Sequence, residues 1–271
     1  KRELKTPNPN RKLATQLAKT FDKIKETKKF KITESGSEID IEALLQTKAK
    51  GYGEFMVDEV RTKGLTILVS IDGSGSMIND NKIESARNLV ATMFRSVEKI
   101  PQVRILANVW SSNTAGEVGI THVRTEGECN RISAGGSFCY TPTHEALRYS
   151  AKQLAKYSGK KLLIMITDGH PQYHNNGNSI SERILVDLAV EEYRKGQKYC
   201  RNMMCINIEP IENEVEKKEE LRRELNRLKV PIVVNLDPDN TCKGNLKRIF
   251  KKNYVEFPGM ERASEFVLKN F

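Results

Sequence analysis

The chain has 271 residues, of which 38% are hydrophobic and 30% charged, and it carries a net charge of +10. That length suits one large α/β domain with an appendage, and no apolar run nears the roughly 20 residues of a membrane span. The odd set of cysteines, Cys129, Cys139, Cys200, Cys205 and Cys242, has no framework spacing, which excludes a secreted disulfide scaffold.

These thiols are read as buried or inert, which places the protein in the cytoplasm. The chain begins at Lys1 without Met, as a fragment would, and no signal peptide is visible.

Lys1 to Lys31 holds eleven basic and three acidic residues, nearly all of the net charge. Such an arm can touch nucleic acid or an anionic protein. No aromatic residues interleave with the charge as in single-strand binders, which favours a solvated helix face. Thr6-Pro7-Asn8-Pro9-Asn10 reads as a linker ending in a helix cap at Asn10. A helix to about Lys28 follows, with Leu13, Leu17, Phe21 and Ile24 on one face. Phe30–Thr33 reads as a short strand, Ser35-Gly36-Ser37 as a turn, and Leu44 and Leu45 as part of a short helix. Residues 1–62 cannot bury a core of their own. They are expected to form a helical extension packed on a domain spanning residues 63–271.

That domain opens on its most informative stretch. Ile67 to Ile71 is an apolar, β-branched run that predicts a strand buried on both faces. It breaks into Asp72-Gly73-Ser74-Gly75-Ser76, where the glycines free the backbone to turn and one carboxylate and two hydroxyls gather. Helical spacing follows at Ala86, Leu89, Val90, Met93, Phe94 and Val97. On its own, the loop is nearly as well explained as an ordinary Gly/Ser turn.

Val103–Trp110 reads as the next strand and Asn113–Asn130 as a loop or short hairpin. Gly135-Gly136 leads through Ser137-Phe138-Cys139-Tyr140 to Thr141-Pro142-Thr143 and a helix over Thr143–Tyr157. Lys161–Thr167 is a second buried strand, ending in Thr167-Asp168-Gly169, and His170–Asn178 is a polar loop. A helix over Ser179–Gly196, with Ile184, Leu185, Leu188 and Ala189 facing in, precedes a strand at Asn202–Ile208. Then come a charged helix at Glu214–Leu228, a strand at Val230–Leu236, a helix at Asn240–Phe250, a strand at Tyr254–Phe257 and a last helix after Pro258-Gly259. Strands alternating with helices predict a doubly wound, mostly parallel α/β sheet.

Taken together, Asp72-x-Ser74-x-Ser76, a Thr just ahead of a helix, and Thr-Asp168-Gly at a strand end resemble the metal-ion-dependent adhesion site of von Willebrand factor A (VWA) domains. The resemblance implies one divalent ion, Mg2+ or Mn2+, with Ser74, Ser76 and Thr141 as direct hydroxyl ligands. Asp72 and Asp168 would act mostly through bound water. In the family pattern the Thr lies six residues before the Leu of an Ala-Leu pair, which gives Thr141 from Leu147, with Thr143 as the fallback. Neutral direct ligands leave such an ion able to attract an Asp or Glu from a protein partner. None of these residues is a nucleophile paired with a base, so the site is read as binding rather than enzymatic. His144, His170 and His174 lack a zinc-site spacing and are read as loop or helix-start residues, and Trp110 as packing.

The N-terminal helix, Ser-Gly-Ser-Glu38-Ile39-Asp40 and Leu44-Leu45 are similar to the region before the VWA domain in the cobalt-chelatase subunit and nitric-oxide-reductase activation families. Glu182-Arg183 and Leu246–Phe250 are similar too. Members of these families work beside AAA+ ATPases. The expected function is therefore a metal-dependent protein-binding module, an adaptor of a AAA+ ATPase. The alternatives are a non-catalytic chelatase component and an RNA-associated VWA protein using the basic arm. No Gly-x-x-x-x-Gly-Lys-Ser/Thr phosphate loop is present, so the chain is not itself the ATPase.

Overall fold

The computed structural model describes residues 6–25, 29–33, 38–39, 44–45, 56–60, 64–169, 171–208 and 242–256. The elements expected at Glu214–Leu228, Val230–Leu236 and after Pro258-Gly259, and the side chain of Ile24, lie outside this set.

Helix α1 (Arg11–Lys25) starts where the Asn10 side chain accepts a hydrogen bond from the Leu13 N–H at 3.1 Å, satisfying one of the free donors of the first turn. Strands β1 (Lys29–Thr33), β2 (Glu38–Ile39) and β3 (Met56–Val60) form a small antiparallel sheet in the order β1-β3-β2. The sequence shows only the first of these strands, because a two-residue strand and a charged one carry no alternation to read.

The main sheet uses β4 (Leu65–Asp72), β5 (Val103–Ser112), β6 (Val118–Val123), β7 (Lys160–Thr167), β10 (Asn202–Asn207) and β11 (Tyr254–Glu256). Its order is β11-β10-β7-β4-β5-β6, parallel throughout except for β6, which folds back antiparallel on β5. A separate small hairpin joins β8 (His174–Asn175) to β9 (Asn178–Ser179). The flanking helices are α2 (Lys82–Val97), α3 (Thr143–Ala155), α4 (Glu182–Gly196) and α5 (Cys242–Phe250).

Side chains alternate across the sheet with period two, and each central strand feeds both layers. Ile67, Val69 and Ile71 of β4, with Leu162, Ile164 and Ile166 of β7, join the cluster that holds α1 and α2. Leu68, Leu163 and Met165 join the opposite cluster, which holds α3, α4 and α5. All eight residues of β4 are buried, as the unbroken apolar run required.

Two expectations are corrected here, the inward face of α4 and the burial of Cys139. Ile184 is 53% exposed and Leu188 only half-buried, because α4 turns Leu185, Val186, Ala189 and Tyr193 inward instead. At Gly196, the last residue of α4, a Cβ would stand 3.2 Å from Ala151 Cβ and from Met203 Sδ, so close helix-to-helix and helix-to-strand approach favours glycine there. Cys139 is exposed, unlike Cys129, Cys200 and Cys205, whose burial pushes each thiol up.

Helix α1 covers α2 through Leu13, Leu17 and Phe21, all fully buried, whereas Leu45, also expected to pack, is 64% exposed. Phe21→Ala should therefore lower unfolding free energy by about 3–5 kcal/mol. Leu45→Ala should change it by no more than about 0.5 kcal/mol. Urea denaturation of both variants checks the pair.

Candidate functional site

Parallel pairing decides where the loops meet. Strand β4 lies between β5 and β7, with Asp72 opposite Trp110 and Ile71 opposite Ile166. The loops leaving β4 and β7 therefore sit side by side at the carboxyl ends of the strands, the usual ligand edge of an open α/β sheet.

Asp72 has no exposed surface. One carboxylate oxygen accepts the Ser74 N–H at 2.8 Å and the other accepts the Thr167 hydroxyl at 2.6 Å. Ser74 and Ser76 join hydroxyl to hydroxyl at 3.1 Å, and the Ser76 hydroxyl donates to Asp168 Oδ1 at 2.8 Å. The backbone holds this loop from outside: Trp110 O accepts the Gly73 N–H at 2.8 Å, and Cys139 O accepts the Gly75 N–H at 3.1 Å.

Thr141 enters from the third side and is buried. Reciprocal backbone hydrogen bonds tie Tyr140 to Ser112 at the end of β5, and the Thr141 carbonyl accepts the N–H groups of Thr143 and Gln172. The Ser137–Tyr140 insertion thus leaves Thr141 at the site. Its hydroxyl, that of Ser76 and Asp72 Oδ2 stand 3.5, 3.6 and 3.9 Å from the point where a Cβ of residue 169 would be. Residue 169 is glycine, so a small space faced by three oxygens is left open. The Thr143 hydroxyl, the fallback candidate, is buried at the start of α3 without a hydrogen-bond partner.

Lys82 belongs to the site without having been singled out for it, and Thr167 and Gly169, read only as the flanks of Asp168 in the Thr-Asp-Gly motif, have roles of their own. The segment Gly75–Asn81 ends in two left-handed residues, Asp80 (φ 52°) and Asn81 (φ 56°); Asp and Asn are the non-glycine types that best tolerate that conformation. Helix α2 then starts at Lys82, whose ammonium donates to Asp168 Oδ2 at 2.7 Å, with both side chains buried. A signal existed in the sequence. A lysine in a first helical turn opposes the helix dipole, so a partner carboxylate has to be sought elsewhere.

Burial is the main influence on the Asp72 carboxyl and pushes it up to about 7; the Thr167 hydrogen bond opposes that rise and the charge of Asp168 adds to it. Of the histidines, His144 is buried at the start of α3 edge-on to Tyr173, and burial holds it below the usual histidine range. His174 is half-buried on β8 with its ring 4.3 Å from Tyr140, and His170 lies outside the described residues. Trp110 is core, as expected.

Among the described residues, no three His, Cys, Asp or Glu side chains gather into a cluster able to hold a metal. The hydroxyl-rich set of Asp72, Ser74, Ser76, Thr141 and Asp168 is a different kind of donor set: all oxygen, hard, and mostly neutral. It fits a small hard dication such as Mg2+ or Mn2+, and the open space beside Gly169 fits it too.

No family model and no curated protein matches the chain in sequence. Among solved structures it is similar to the pilus adhesin SpaC of Lactobacillus rhamnosus GG, at TM-score 0.52 and 15% identity, covering 77% of this chain. It spans 30% of SpaC's length. It is also similar to the vWF domain of the type V pili tip protein Mfa5 of Porphyromonas gingivalis, at TM-score 0.50 and 11% identity, covering 77% of this chain and 96% of that domain. These likenesses show the fold: a mostly parallel α/β sheet of the VWA kind. No helix among the described residues is long and apolar enough to cross a membrane.

Two outcomes follow for the metal. Ordinary contact distances around Gly169 mean that Gly169→Ala should fold normally in EDTA yet lose cation binding, because the methyl occupies the space the oxygens face. Lys82→Met should instead tighten Mg2+ binding, since it removes a fixed positive charge from Asp168. Isothermal titration of both variants, with melting curves in EDTA, gives the readout.

The Asp72 carboxyl also sets a pH dependence. The unfolded chain loses this proton near 3.8 and the folded chain only near 7. Between those values the folded state binds the extra proton, so this group lowers metal-free stability as pH rises, with the full loss present above about 7. Asp72→Asn should flatten that slope in melting temperature measured in EDTA from pH 5 to 8. Wild-type affinity for Mg2+ should rise over the same interval, because the cation competes with the proton.

Proposed function

We propose that this chain is a protein-binding module whose grip on its partner depends on a divalent cation, Mg2+ or Mn2+, held by Asp72, Ser74, Ser76, Thr141 and Asp168. The observation that carries this reading is the convergence of three loops, after β4, before α3 and after β7, on the oxygen-faced space beside Gly169. When bound, the cation would supply an electrophilic centre for an anionic oxygen.

The chain's own residues set how strong that attraction is. Ser74, Ser76 and Thr141 offer neutral oxygens, which leave a cation's charge largely unspent. Asp72 and Asp168 supply balancing charge, and Lys82 already neutralises one of them. The partner group that fits is an Asp or Glu carboxylate. The loop beside the site, Pro171–Asn178, has no acidic residue to repel it. A single carboxylate contact gives direction, and the surrounding loops then select shape. The Ser74 and Ser76 hydroxyls are spent on one another and on a lysine-paired carboxylate, which supports binding over catalysis.

Our reading of the partner is a AAA+ ATPase assembly in the cytoplasm, with this chain as adaptor. Its support is the segment ahead of the site, a basic helix α1 whose Leu13, Leu17 and Phe21 are docked on α2 while Arg11, Lys12 and Lys19 stay exposed.

Affinity capture with Mg2+ and with EDTA, read by mass spectrometry, tests the proposal. The partner should be retained only with the cation. Thr141→Ala should weaken binding about tenfold or more with an unchanged circular dichroism spectrum, and one Asp or Glu of the partner should be needed. A partner held equally well in EDTA would overturn the metal-dependent reading and move the interface elsewhere, the basic arm being the first place to look.

A further inference from the structure

A second concave site lies on the other half of the sheet. Between the end of α3 and the β5–β6 ribbon is a cleft of about 560 Å³ lined in part by Arg104, Arg124, Lys156, His122, Asn108 and Tyr157. A smaller cleft of about 320 Å³ continues from it past Arg104, Lys156 and Tyr157 toward the start of β4. Thr66 pairs with Arg104 and Asp72 with Trp110, so Arg104 sits some six strand residues, about 20 Å, from the Asp72 loop.

The chemistry of this cleft is one-sided. No acidic residue lines either part. Elsewhere on the described surface several basic side chains find carboxylates, as in Arg95–Glu126, Arg131–Glu128, Arg148–Glu145 and Arg248–Asp187. Arg104, Arg124 and Lys156 make no ion pair among the described residues. Arg104 lies over the Tyr157 ring at 5.0 Å, which holds its guanidinium in place and leaves its N–H groups for another acceptor. After burial, the charges of Arg124 and Lys156 hold His122 below the usual histidine range, so their field reaches across the cleft.

The floor adds a directional group. Asn108 and His122 are register partners across β5 and β6, so they share the cleft face. The Asn108 Oδ1 accepts the Ser70 hydroxyl at 2.9 Å, while its buried Nδ2 has no hydrogen-bond partner. Leu68 and Leu106 provide apolar wall beside it. A buried donor without a partner, three cations without a carboxylate partner (Lys156 donates only to the neutral Gln153, at 3.2 Å), an aromatic ring and an apolar wall, in a volume typical of small-molecule sites, call for one kind of ligand.

We infer that this cleft binds a phosphate monoester of about nucleotide size, with Arg104, Arg124 and Lys156 on the phosphate and the Tyr157–Asn108 side on its organic part. Guanidinium groups take phosphate oxygens in pairs, and the rest of the cleft is larger than a bare phosphate fills. The site is independent of the metal reading and works with or without a divalent cation.

The test is titration of the full chain, in EDTA and again in Mg2+, with AMP, glucose 6-phosphate, inorganic phosphate and adenosine, read by calorimetry. AMP or glucose 6-phosphate should bind saturably and at least about tenfold more tightly than phosphate or adenosine; which of the two binds better separates a nucleotide from a sugar phosphate. Each of Arg104→Gln, Arg124→Gln and Lys156→Gln, all at exposed side chains, should weaken that binding roughly tenfold. Gly169→Ala, at the other site, should leave it unchanged. If neither monoester binds below about 10 mM, or if the three Gln variants bind as the wild type does, the proposal fails.

Discussion

A carboxylate with no exposed surface sets the terms for this structure. Asp72 ends the most deeply buried strand of the sheet, and an ionised carboxylate there is costly unless it is bonded and balanced. The Ser74 N–H and the Thr167 hydroxyl supply the bonds. The first comes from the turn itself, two residues on, while the second is available only because β4 and β7 run parallel and in register, with their ends level. Register, loop shape and charge balance are therefore one constraint, and changing any of them would strand a polar group in the core.

The second carboxylate is handled differently, and the difference gives the site its character. Asp168 is balanced by the buried ammonium of Lys82 and also takes the Ser76 hydroxyl. Burial and hydrogen bonds thus govern one acid, raising its affinity for a proton, and a counter-ion governs the other. What is left facing the space at Gly169 is a set of oxygens of low net charge. A cation held there, as proposed, would keep some of its charge for a partner rather than being fully neutralised within the protein. A site built from three or four carboxylates would hold a metal more tightly and attract an anion less.

The two faces of the sheet also carry different loads. The face with α1 and α2 carries a large apolar cluster, and the buried polar side chains of α2, Arg87, Thr92 and Ser96, are spent on backbone groups there. The face with α3, α4 and α5 contains a buried polar strip in which the Ser70 hydroxyl joins Asn108 and Ser150. That strip leads away from the α3 contact to the open β5–β6 ribbon, where the basic cleft lies. Antiparallel β6 supplies the outer wall of the cleft, and α3 meets that wall through the 2.8 Å hydrogen bond between His122 and Tyr149.

Much of this was legible in the residues. The apolar run Ile67–Ile71, the Asp-x-Ser-x-Ser and Thr-Asp-Gly strand ends, and the helix spacing from Ala86 to Met93 determine a doubly wound sheet and point to Asp72, Ser74, Ser76, Thr141 and Asp168, because periodicity and turn chemistry are local properties of a chain. The inward face of α4 was misjudged at Ile184, since a helix with apolar residues on more than half its circumference does not say which side meets the sheet. Lys82, Thr167 and Gly169 were settled only by tertiary structure. Their roles rest on distances between segments some 90 residues apart, on the end-to-end register of two parallel strands, and on a space that exists because a side chain is missing. The basic cleft is of the same kind: Arg104, Arg124 and Lys156 are three unremarkable cations in sequence, and only the pairing of β5 with β6 and the packing of α3 bring their charges to one place without a carboxylate between them.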